Sequence, residues 1–191
     1  MRLRKLHLRQ RFLVVILAVC APVALVLGFV LPGSANAAPQ RSTTTTNFVT
    51  FYGWTDNSPP GPGIAHPCIH QNAGGVGTRS NPVTMAWPND LNGPFCQIGY
   101  VPFLKKYFIH EDQCNPCGGV NSGHWDLWMG GDRNSTHGQE HTALLACEGK
   151  WTTHATVILN PPANLPVDTT PLFTPPTTCH GGAGDGGGGG S

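Results

Sequence analysis

Six short segments of this chain are predicted to be β-strands, and apolar and polar residues alternate in most of them. The segments are rich in β-branched and aromatic residues and are separated by clusters of Gly, Pro and Asn, which favour turns. In the last segment, Ala155, Val157 and Leu159 fall on one face, so that face is expected to lie in a core. The predicted strands cover residues 48–54, 83–87, 100–103, 107–111, 125–129 and 153–159.

One helix is predicted, over residues 137–147. Thr136, with Gln139 three residues later, has the pattern of a capping box, and apolar residues such as Leu144 follow it. Many short strands with a single short helix predict an all-β fold, in the form of a small closed barrel.

Residues 1–37 have the pattern of a signal peptide. Basic residues precede an apolar run over residues 12–31, and Ala35-Asn36-Ala37 resembles a cleavage site. We therefore expect a secreted, extracellular protein that starts near Ala38 and contacts no membrane after cleavage. About 20 apolar residues can also span a bilayer, so retention of this segment as a membrane anchor is the alternative.

Composition divides the rest of the chain into three parts. Residues 38–46 form a polar lead-in, and residues 47–161 form the predicted folded domain. Residues 162–191 are rich first in Pro and Thr and then in Gly, which predicts a flexible tail without a core.

The charge of the predicted mature chain is weakly acidic. Five of the 11 basic residues lie in residues 1–37 and all 10 acidic residues lie after them, so six basic minus ten acidic residues leaves a net charge of about −4. A chain without a basic run lacks the electrostatic signature of a nucleic-acid-binding protein. We expect a monomer that does not bind nucleic acid.

Six cysteines follow the predicted signal peptide, and an even number in an oxidising compartment predicts three disulfides. Fifteen pairings are compatible with six cysteines, and the sequence selects none of them. The Cys-x-x-Cys spacing near residue 115 also occurs in zinc knuckles and redox dithiols, although a structural bridge is favoured in an exported protein. The cysteines are Cys68, Cys96, Cys114, Cys117, Cys147 and Cys179.

The segment from His137 to His141 has the H-x-x-E-H pattern of inverted zinc proteases. Such an enzyme also needs an acidic ligand further along the chain, and after Glu148 only Asp168 and Asp185 remain, both in the predicted tail. Two histidines four residues apart on a short helix more often form a solvated face. We therefore predict no metal site and no cofactor.

Two aspartates in aromatic segments are the main candidates for chemistry: Asp56, near Trp54, and Asp126, between Trp125 and Trp128. Burial beside indole rings raises the pKa of a carboxyl group, and the rings offer flat apolar faces to sugars. Glycoside cleavage needs a carboxylic acid and, for inversion, a second carboxylate that activates water.

We predict Asp126 as the acid and Asp56 as the base, with Asp112 as an alternative partner or a supporting hydrogen-bonding group. An Asp in a turn such as Asp56-Asn57-Ser58-Pro59 also commonly only caps the turn. Strand alternation assigns Trp125 to the core. The residues predicted to contact the sugar are Trp54, Trp128, Tyr52 and His124.

Three segments of this chain resemble the core of double-psi β-barrels: Tyr100-Val101-Pro102, the run from Tyr107 to Asp112, and His124-Trp125-Asp126-Leu127. The first two and Asp126 resemble bacterial three-aspartate domains, whose third aspartate has no match because Asn81-Pro82 stands in its place. His124-Trp125-Asp126 is similar to a motif of expansins. Trp54-Thr55-Asp56 resembles the early motif of family 45 glycoside hydrolases, with one residue inserted.

The chain also resembles a group of uncharacterised secreted microbial proteins that share an Ala-Gly-Gly-x-Gly-Thr stretch, here residues 73–78. Together these resemblances imply a six-stranded double-psi β-barrel, held by disulfides, that acts on a structural polysaccharide such as β-glucan or peptidoglycan. Three alternatives stay open. They are an expansin-like protein that binds and loosens glycans, a single-aspartate lytic transglycosylase, and a structural or signalling protein similar to barwin-like effectors.

Overall fold

The computed structural model describes residues 42–88, 94–115, 117 and 123–182, and the predicted signal peptide and glycine-rich end lie outside these residues. In this part of the chain, six strands close into a β-barrel, which confirms the predicted fold class. No helix in the described ranges has the length and hydropathy needed to cross a bilayer. The strands are β1 (Thr43–Gly53), β2 (Val83–Trp87), β3 (Ile98–Val101), β4 (Lys106–Gln113), β5 (His124–Gly130) and β6 (Thr153–Leu159).

The barrel mixes parallel and antiparallel strand pairs in the order β1-β5-β2-β4-β3-β6. Pairs β1–β5 and β2–β4 are parallel, and the other four neighbouring pairs are antiparallel. Strand β1 closes the barrel by pairing with β6 from Thr43 opposite Leu159 to Val49 opposite Thr153. The residues assigned to a polar lead-in therefore belong in part to the barrel, since β1 begins at Thr43.

Alternate side chains of the strands fill the barrel with a hydrophobic core. Val49, Met85 and Leu127 are fully buried, and Trp125 is 1 % exposed, which agrees with its assignment to the core. Removal of this apolar surface from water stabilises the fold, at roughly 25 cal/mol for each Å² buried. The remaining side chains of the same strands point out of the barrel, and several of them form the site described below.

The predicted helix is present as α1 (Gly138–Trp151), which runs four residues beyond the predicted end. The predicted capping box at Thr136 is wrong, because His137 is the N-cap and makes no side-chain cap hydrogen bond. A capping box is instead formed by Asp132 and Ser135, at a preceding 3₁₀ helix. Helix α1 buries one face against the barrel, and that face contains Glu140, Leu144, Cys147 and Glu148.

The six cysteines that follow the predicted signal peptide are all paired. The bridges Cys68–Cys96 and Cys147–Cys179 each join segments about 30 residues apart, whereas Cys114–Cys117 joins residues three apart. The three predicted disulfides are therefore present, and the structure supplies the pairing that the sequence leaves open.

Residues 162–182 pack against the barrel, although their composition predicts a flexible tail. The Tyr100 hydroxyl donates to the Pro166 carbonyl at 2.8 Å, and the Lys106 ammonium donates to the carbonyls of Asp168 and Thr170. Phe173 is 3 % exposed, and two short strands follow, β7 (Phe173–Thr174) and β8 (Thr178–Cys179). The predicted domain boundary at residue 161 thus falls inside the folded unit.

A buried carboxylate fixes the loop between β1 and β2. Glu111 has no exposed surface, and its Oε1 accepts hydrogen bonds from the backbone N–H groups of Cys68, Ile69 and His70. Its Oε2 lies 2.7 Å from His70 Nδ1. Burial alone would raise the pKa of Glu111, but these hydrogen bonds and the His70 charge outweigh burial and lower the pKa.

Candidate active site

The strand register places one row of outward-facing side chains across four strands. Thr50 of β1 lies opposite Asp126 of β5, which in turn lies opposite Ala86 of β2. Beyond a bulge, Ala86 lies opposite Asp112 of β4. Two carboxyl groups far apart in the sequence are therefore separated on the barrel surface only by a small alanine.

A groove of about 610 Å³ lies over this row. One side is formed by the loop after β1, including Asp56 and Pro59, and the other by residues after β4, including Cys114. The three predicted catalytic residues all line this groove, together with the predicted sugar-contacting residue Tyr52. They are Asp56, Asp112 and Asp126.

Asp126 has the most perturbed aspartate carboxyl in the groove. Its pKa is raised to about 7, chiefly by burial and in part by the negative charges of Asp56 and Asp112, while the hydrogen bond from Thr50 opposes the shift. A carboxyl group with this pKa retains its proton in a large fraction of molecules at neutral pH. Asp126 thus has the property needed by a general acid.

Behind Asp126 lies a chain of hydrogen bonds that leads away from the groove. Thr50 Oγ1 lies 2.7 Å from Asp126 Oδ1 and 2.6 Å from His124 Nε2. On the other side of the ring, His124 Nδ1 lies 3.0 Å from the Cys117 carbonyl oxygen. His124 therefore supports Asp126 from behind and is not among the residues that line the groove.

The hydrogens of this chain can be assigned by counting donors. Thr50 donates its single hydrogen to Asp126 Oδ1, so the Thr50 oxygen is the acceptor in its contact with His124 Nε2. The Cys117 carbonyl can only accept, so His124 Nδ1 donates to it when that nitrogen carries a hydrogen. Burial lowers the pKa of His124, and the contact with Cys117 opposes this shift.

Asp56 is held by two neighbours at the rim of the groove. Its Oδ1 accepts the Gly53 backbone N–H at 2.6 Å, and its carboxyl group shares a hydrogen bond with Glu148 of α1. Burial raises the pKa of Glu148 to about 9, and the charges of Asp56 and Asp126 contribute to this shift. Glu148 therefore holds the proton of the pair at neutral pH and donates it to Asp56. For Asp56, burial raises the pKa, and the bonds from Gly53 and Glu148 partly offset the rise.

Asp112 is the most fully bonded of the three aspartates. Its Oδ2 accepts the Tyr52 hydroxyl at 2.9 Å, and its Oδ1 accepts the backbone N–H groups of Ala65 and Gln113. Burial raises the pKa of Tyr52, and the neighbouring Asp112 charge adds to the shift, so Tyr52 remains a donor. The three hydrogen bonds to Asp112 fit a supporting role for this residue better than the role of a catalytic base.

The expected tryptophan lining is not part of this groove. Trp128 is 8 % exposed, packs edge-on against Tyr52 at 5.2 Å, and lines a separate cavity with Leu172 and Phe173. Trp54 is half-buried against the core. Strand alternation correctly places Trp128 on the same face as Asp126, but the packed segment 162–182 covers its part of that face. Among the described lining residues, Tyr52 supplies the aromatic surface.

Glu148 is not among the predicted site residues, although it is 6 % exposed and bonded to Asp56. The sequence of helix α1 does contain a pattern that identifies Glu148 as buried. Glu140, Leu144 and Glu148 follow one another at intervals of four residues and so share one face. Leu144 indicates that this face is buried. Glu140 and Glu148 flank Leu144 on the same face, which indicates that each is a buried carboxyl group with a specific hydrogen-bonding partner.

Three potential metal-binding atoms lie close together beside the groove. A carboxylate oxygen of Asp126 and the sulfurs of Cys114 and Cys117 all lie within 4.8 Å of one another. The two sulfurs are joined in a disulfide and so offer no thiolate to a metal.

Comparison with known proteins places this barrel in a family. Residues 44–180 match the family described as the DDB_G0273701 N-terminal domain. The chain belongs to this family. The DDB_G0273701 N-terminal domain match starts within β1 and ends just after Cys179, so it includes both the barrel and the packed segment 162–182.

A relative of this chain is an uncharacterized protein, DDB_G0273701/DDB_G0273221, of Dictyostelium discoideum. The two are 37% identical over 139 residues, which is 70% of this chain and 59% of the relative. The chain thus spans less than two thirds of the length of the relative. No solved structure matches the chain.

Proposed function

We propose that this protein is a secreted enzyme that cleaves a structural polysaccharide, with Asp126 as the general acid. The observation that supports this most is the Asp126 carboxyl, with a pKa raised to about 7, on the floor of an open groove that also contains Asp56. A carboxylic acid and a second carboxylate on one groove are the chemical groups that glycoside hydrolysis requires. Three disulfides are consistent with an oxidising, extracellular location.

In this mechanism, a glycan lies along the groove and Asp126 protonates the oxygen that leaves. The Asp56 carboxylate, oriented by Gly53 and Glu148, activates a water molecule on the other side of the bond. After cleavage, Asp126 is ionised and must regain a proton. Because its carboxyl group lines the open groove, Asp126 takes this proton from water there.

We infer that the barrel is of the double-psi class. Its six strands include two parallel pairs, β1–β5 and β2–β4, in an otherwise antiparallel closed sheet. The segment that resembles the expansin motif, residues 124–126, starts β5 and carries Asp126. The inference supports a glycan as the substrate, since the expansins and family 45 glycoside hydrolases that the sequence resembles act on cell walls.

The proposal is tested by product release from β-glucan and peptidoglycan, measured as soluble fragments. We expect the wild-type protein to release fragments and Asp126→Asn to release none while it still binds the insoluble glycan. A matched control is Asp168→Asn, because Asp168 is an exposed carboxyl group of the packed segment and not a lining residue of the groove. No release by the wild-type protein from either glycan would refute the enzymatic proposal.

A second candidate is cleavage by a single acid, as in lytic transglycosylases. It is favoured by the hydrogen bonds of the other two aspartates, because Asp112 already has three donors and Asp56 is bonded to Glu148. The two routes differ in the use of water. Hydrolysis carried out in ¹⁸O-labelled water places the label in the product, whereas intramolecular attack by a sugar hydroxyl leaves the product unlabelled.

A further inference from the structure

The Cys114–Cys117 disulfide lies at the edge of the groove, beside the carboxyl group of Asp126. Cys114 is half-buried and lines the groove, whereas Cys117 is 4 % exposed. Cys114 Sγ lies 3.7 Å from Asp126 Oδ2. A disulfide sulfur has no hydrogen to donate. The contact is therefore a hydrogen bond only when the carboxyl is protonated or when Cys114 is a thiol.

This bridge contributes least to the stability of the fold. Its two cysteines are three residues apart, compared with 28 for Cys68–Cys96 and 32 for Cys147–Cys179. The stabilisation by a disulfide increases with the length of the loop that it closes, because a longer loop loses more entropy in the unfolded chain. The two long-range bridges therefore contribute most of the stability that the disulfides give the fold. The presence of the short bridge needs a different explanation.

The surroundings of the three bridges also differ. Cys147 Sγ lies against the Leu172 carbonyl, and Cys68 Sγ lies against the His110 carbonyl. A carbonyl cannot give a proton to a sulfur atom, whereas a carboxyl group can. Cys96 of the first long-range bridge is also exposed and lines a cavity, so access alone does not distinguish the bridges. Among the described residues, the short bridge is the one with a carboxyl group beside its sulfur atoms.

We propose that the Cys114–Cys117 pair is a thiol–disulfide exchange site, reached through the groove by a small-molecule thiol, and that Asp126 is the proton donor of the exchange. The proposal goes beyond glycan cleavage and does not depend on it. It assigns the disulfide a redox activity with a low-molecular-weight thiol as its substrate.

The exchange begins at the accessible sulfur. The thiolate of the small molecule attacks Cys114 Sγ, a bond forms between these two sulfurs, and the bond to Cys117 Sγ breaks. The electron pair leaves on Cys117, and the Asp126 acid, whose carboxylate lies within 4.8 Å of that sulfur, protonates it. A second thiolate then attacks the small-molecule sulfur of the mixed disulfide and releases Cys114. In total, two thiols are oxidised to one disulfide and the protein disulfide is reduced to two thiols.

Two properties of Asp126 suit it to this role. Burial raises its pKa to about 7, so it still has a proton to give at neutral pH, where an ordinary aspartate is ionised. After reduction, Cys114 gains a hydrogen that it can donate to the ionised carboxylate across the existing contact. The same carboxyl group is thus placed to assist formation of the dithiol and to bind it afterwards.

The first test measures which bridge is reduced. The purified protein is equilibrated in reduced and oxidised glutathione at several ratios, free thiols are alkylated, and each cysteine is followed by mass spectrometry. We expect the ratio of reduced to oxidised Cys114–Cys117 to exceed that of either other bridge at least tenfold. If the three bridges are reduced together, or if this bridge is the last to be reduced, the proposal is wrong.

The second test addresses the proton donor. We expect Asp126→Asn to slow reduction of the bridge by glutathione about tenfold, and Asp126→Glu, which retains an acid, to restore part of the rate. Asp168→Asn is the matched control, since it removes an exposed carboxyl group outside the groove. Equal rates in the wild-type protein and a folded Asp126→Asn variant would exclude Asp126 as the donor.

A third measurement identifies the sulfur that reacts and does not require substitution of Asp126. In Cys117→Ser, Cys114 is left as a single thiol at the groove. We expect oxidised glutathione to form a mixed disulfide with Cys114 in this variant, and the reverse variant, Cys114→Ser, to react at least tenfold more slowly at its buried Cys117. Equal reaction of the two variants would contradict access through the groove. None of these assays contains a glycan, so their outcome is separate from that of the proposed function.

Discussion

The carboxyl groups of Asp56 and Glu148 share a hydrogen bond between the loop after β1 and helix α1. Two carboxyl groups can bond in this way only when one of them holds a proton. Because Glu148 is the more buried, it keeps the proton and Asp56 carries the charge. The ionised partner is thereby directed at the groove, and the neutral one supports it from the core.

The first prediction concerns the acid. Asp126→Asn removes the proton that would go to the leaving oxygen, and we expect the rate of fragment release to fall about 10²- to 10⁴-fold, the usual contribution of general acid catalysis. In the wild-type protein, the rate should fall as pH rises through about 7, because the Asp126 proton is lost there. A pH–rate profile on soluble β-glucan measures both effects. A profile unchanged between pH 6 and 8 would contradict this assignment.

The second prediction concerns Glu148 and stability. Its folded pKa of about 9 exceeds its ordinary value of 4.5, so the folded state binds more protons than the unfolded state between these pH values. Stability is therefore lost progressively as pH rises from 4.5 to 9. Glu148→Gln keeps a donor to Asp56 but no longer titrates. We expect it to be more stable than the wild type at pH 8, by about 1 kcal/mol or more, since one pKa unit corresponds to about 1.4 kcal/mol.

Urea unfolding at pH 5 and pH 8 measures this difference. Glu140→Gln is the matched control, because Glu140 lies on the same helix face but bonds to Ser135 and not to an aspartate. A Glu148→Gln variant that loses stability with pH as steeply as the wild type would show that Glu148 is ionised in the folded protein.

The third prediction concerns the Thr50 hydroxyl. Its hydrogen bond lowers the pKa of Asp126, so Thr50→Val should raise that pKa further above its ordinary value. Carbon NMR of the labelled Asp126 carboxyl measures the change, and Thr50→Ser should restore the wild-type value. A Thr50→Val variant with an unshifted Asp126 would exclude the bond between these residues.

The fourth prediction concerns Glu111. Its folded pKa is lowered by its hydrogen bonds and the His70 charge, which exceed the opposing effect of burial. The stability that it contributes is therefore present above its unfolded pKa of about 4.5 and is lost as pH falls through the lower folded value. We expect Glu111→Gln to destabilise the protein by roughly 2–4 kcal/mol at pH 7 and by much less at pH 3, because a buried charged acceptor is lost.

Thermal unfolding at the two pH values tests this difference, with Glu140→Gln again as the control for loss of a buried glutamate. Hydrogen exchange at the backbone N–H groups of Ile69 and His70 gives an independent measurement, since both donate to Glu111. Equal destabilisation at both pH values would indicate that packing, and not charge, explains the effect.

The fifth prediction concerns the packed segment 162–182. Replacement of Cys147 and Cys179 by Ala removes the bridge to this segment and should cost about 2–5 kcal/mol, as for other native disulfides. The segment should then be cleaved faster by a nonspecific protease. Thr177→Ala, at an exposed site in the same segment, is the control. Protease resistance equal to that of the wild type would show that the bonds to Tyr100 and Lys106 suffice.

The barrel was predictable because its strands either alternate or consist of apolar and β-branched residues bounded by turn residues. For β2 and β6 the predicted and observed bounds coincide, since Val83–Trp87 and Thr153–Leu159 are apolar or β-branched and end at turn residues. The start of β1 was missed because Thr43 and the threonines that follow are exposed and hold the strand by backbone pairing with β6. Backbone pairing leaves no hydrophobic pattern in the sequence.

Asp56 and Asp126 were selected from the sequence by their aromatic neighbours, but the residues that support them could not be identified in this way. Glu148 is a charged helical residue, and such residues are usually solvent-exposed. The segment 162–182 has no alternation, and it is held by donors such as Tyr100 and Lys106 that bind its carbonyl groups. Bonds of this kind depend on distant side chains, and so local sequence does not reveal them. The same segment covers Trp128, which explains why that ring is not at the groove.

The pairing of β1 with β6 has a consequence for how the chain folds. The strand that emerges first from the ribosome finds its antiparallel partner only when residues 153–159 have been synthesised. Until then β1 has unpaired backbone groups along one edge, and such an edge can associate with other chains. Contacts between distant parts of a sequence also slow folding. The exposed threonines at the start of β1 lie on that edge, so their side chains add no large apolar surface to it.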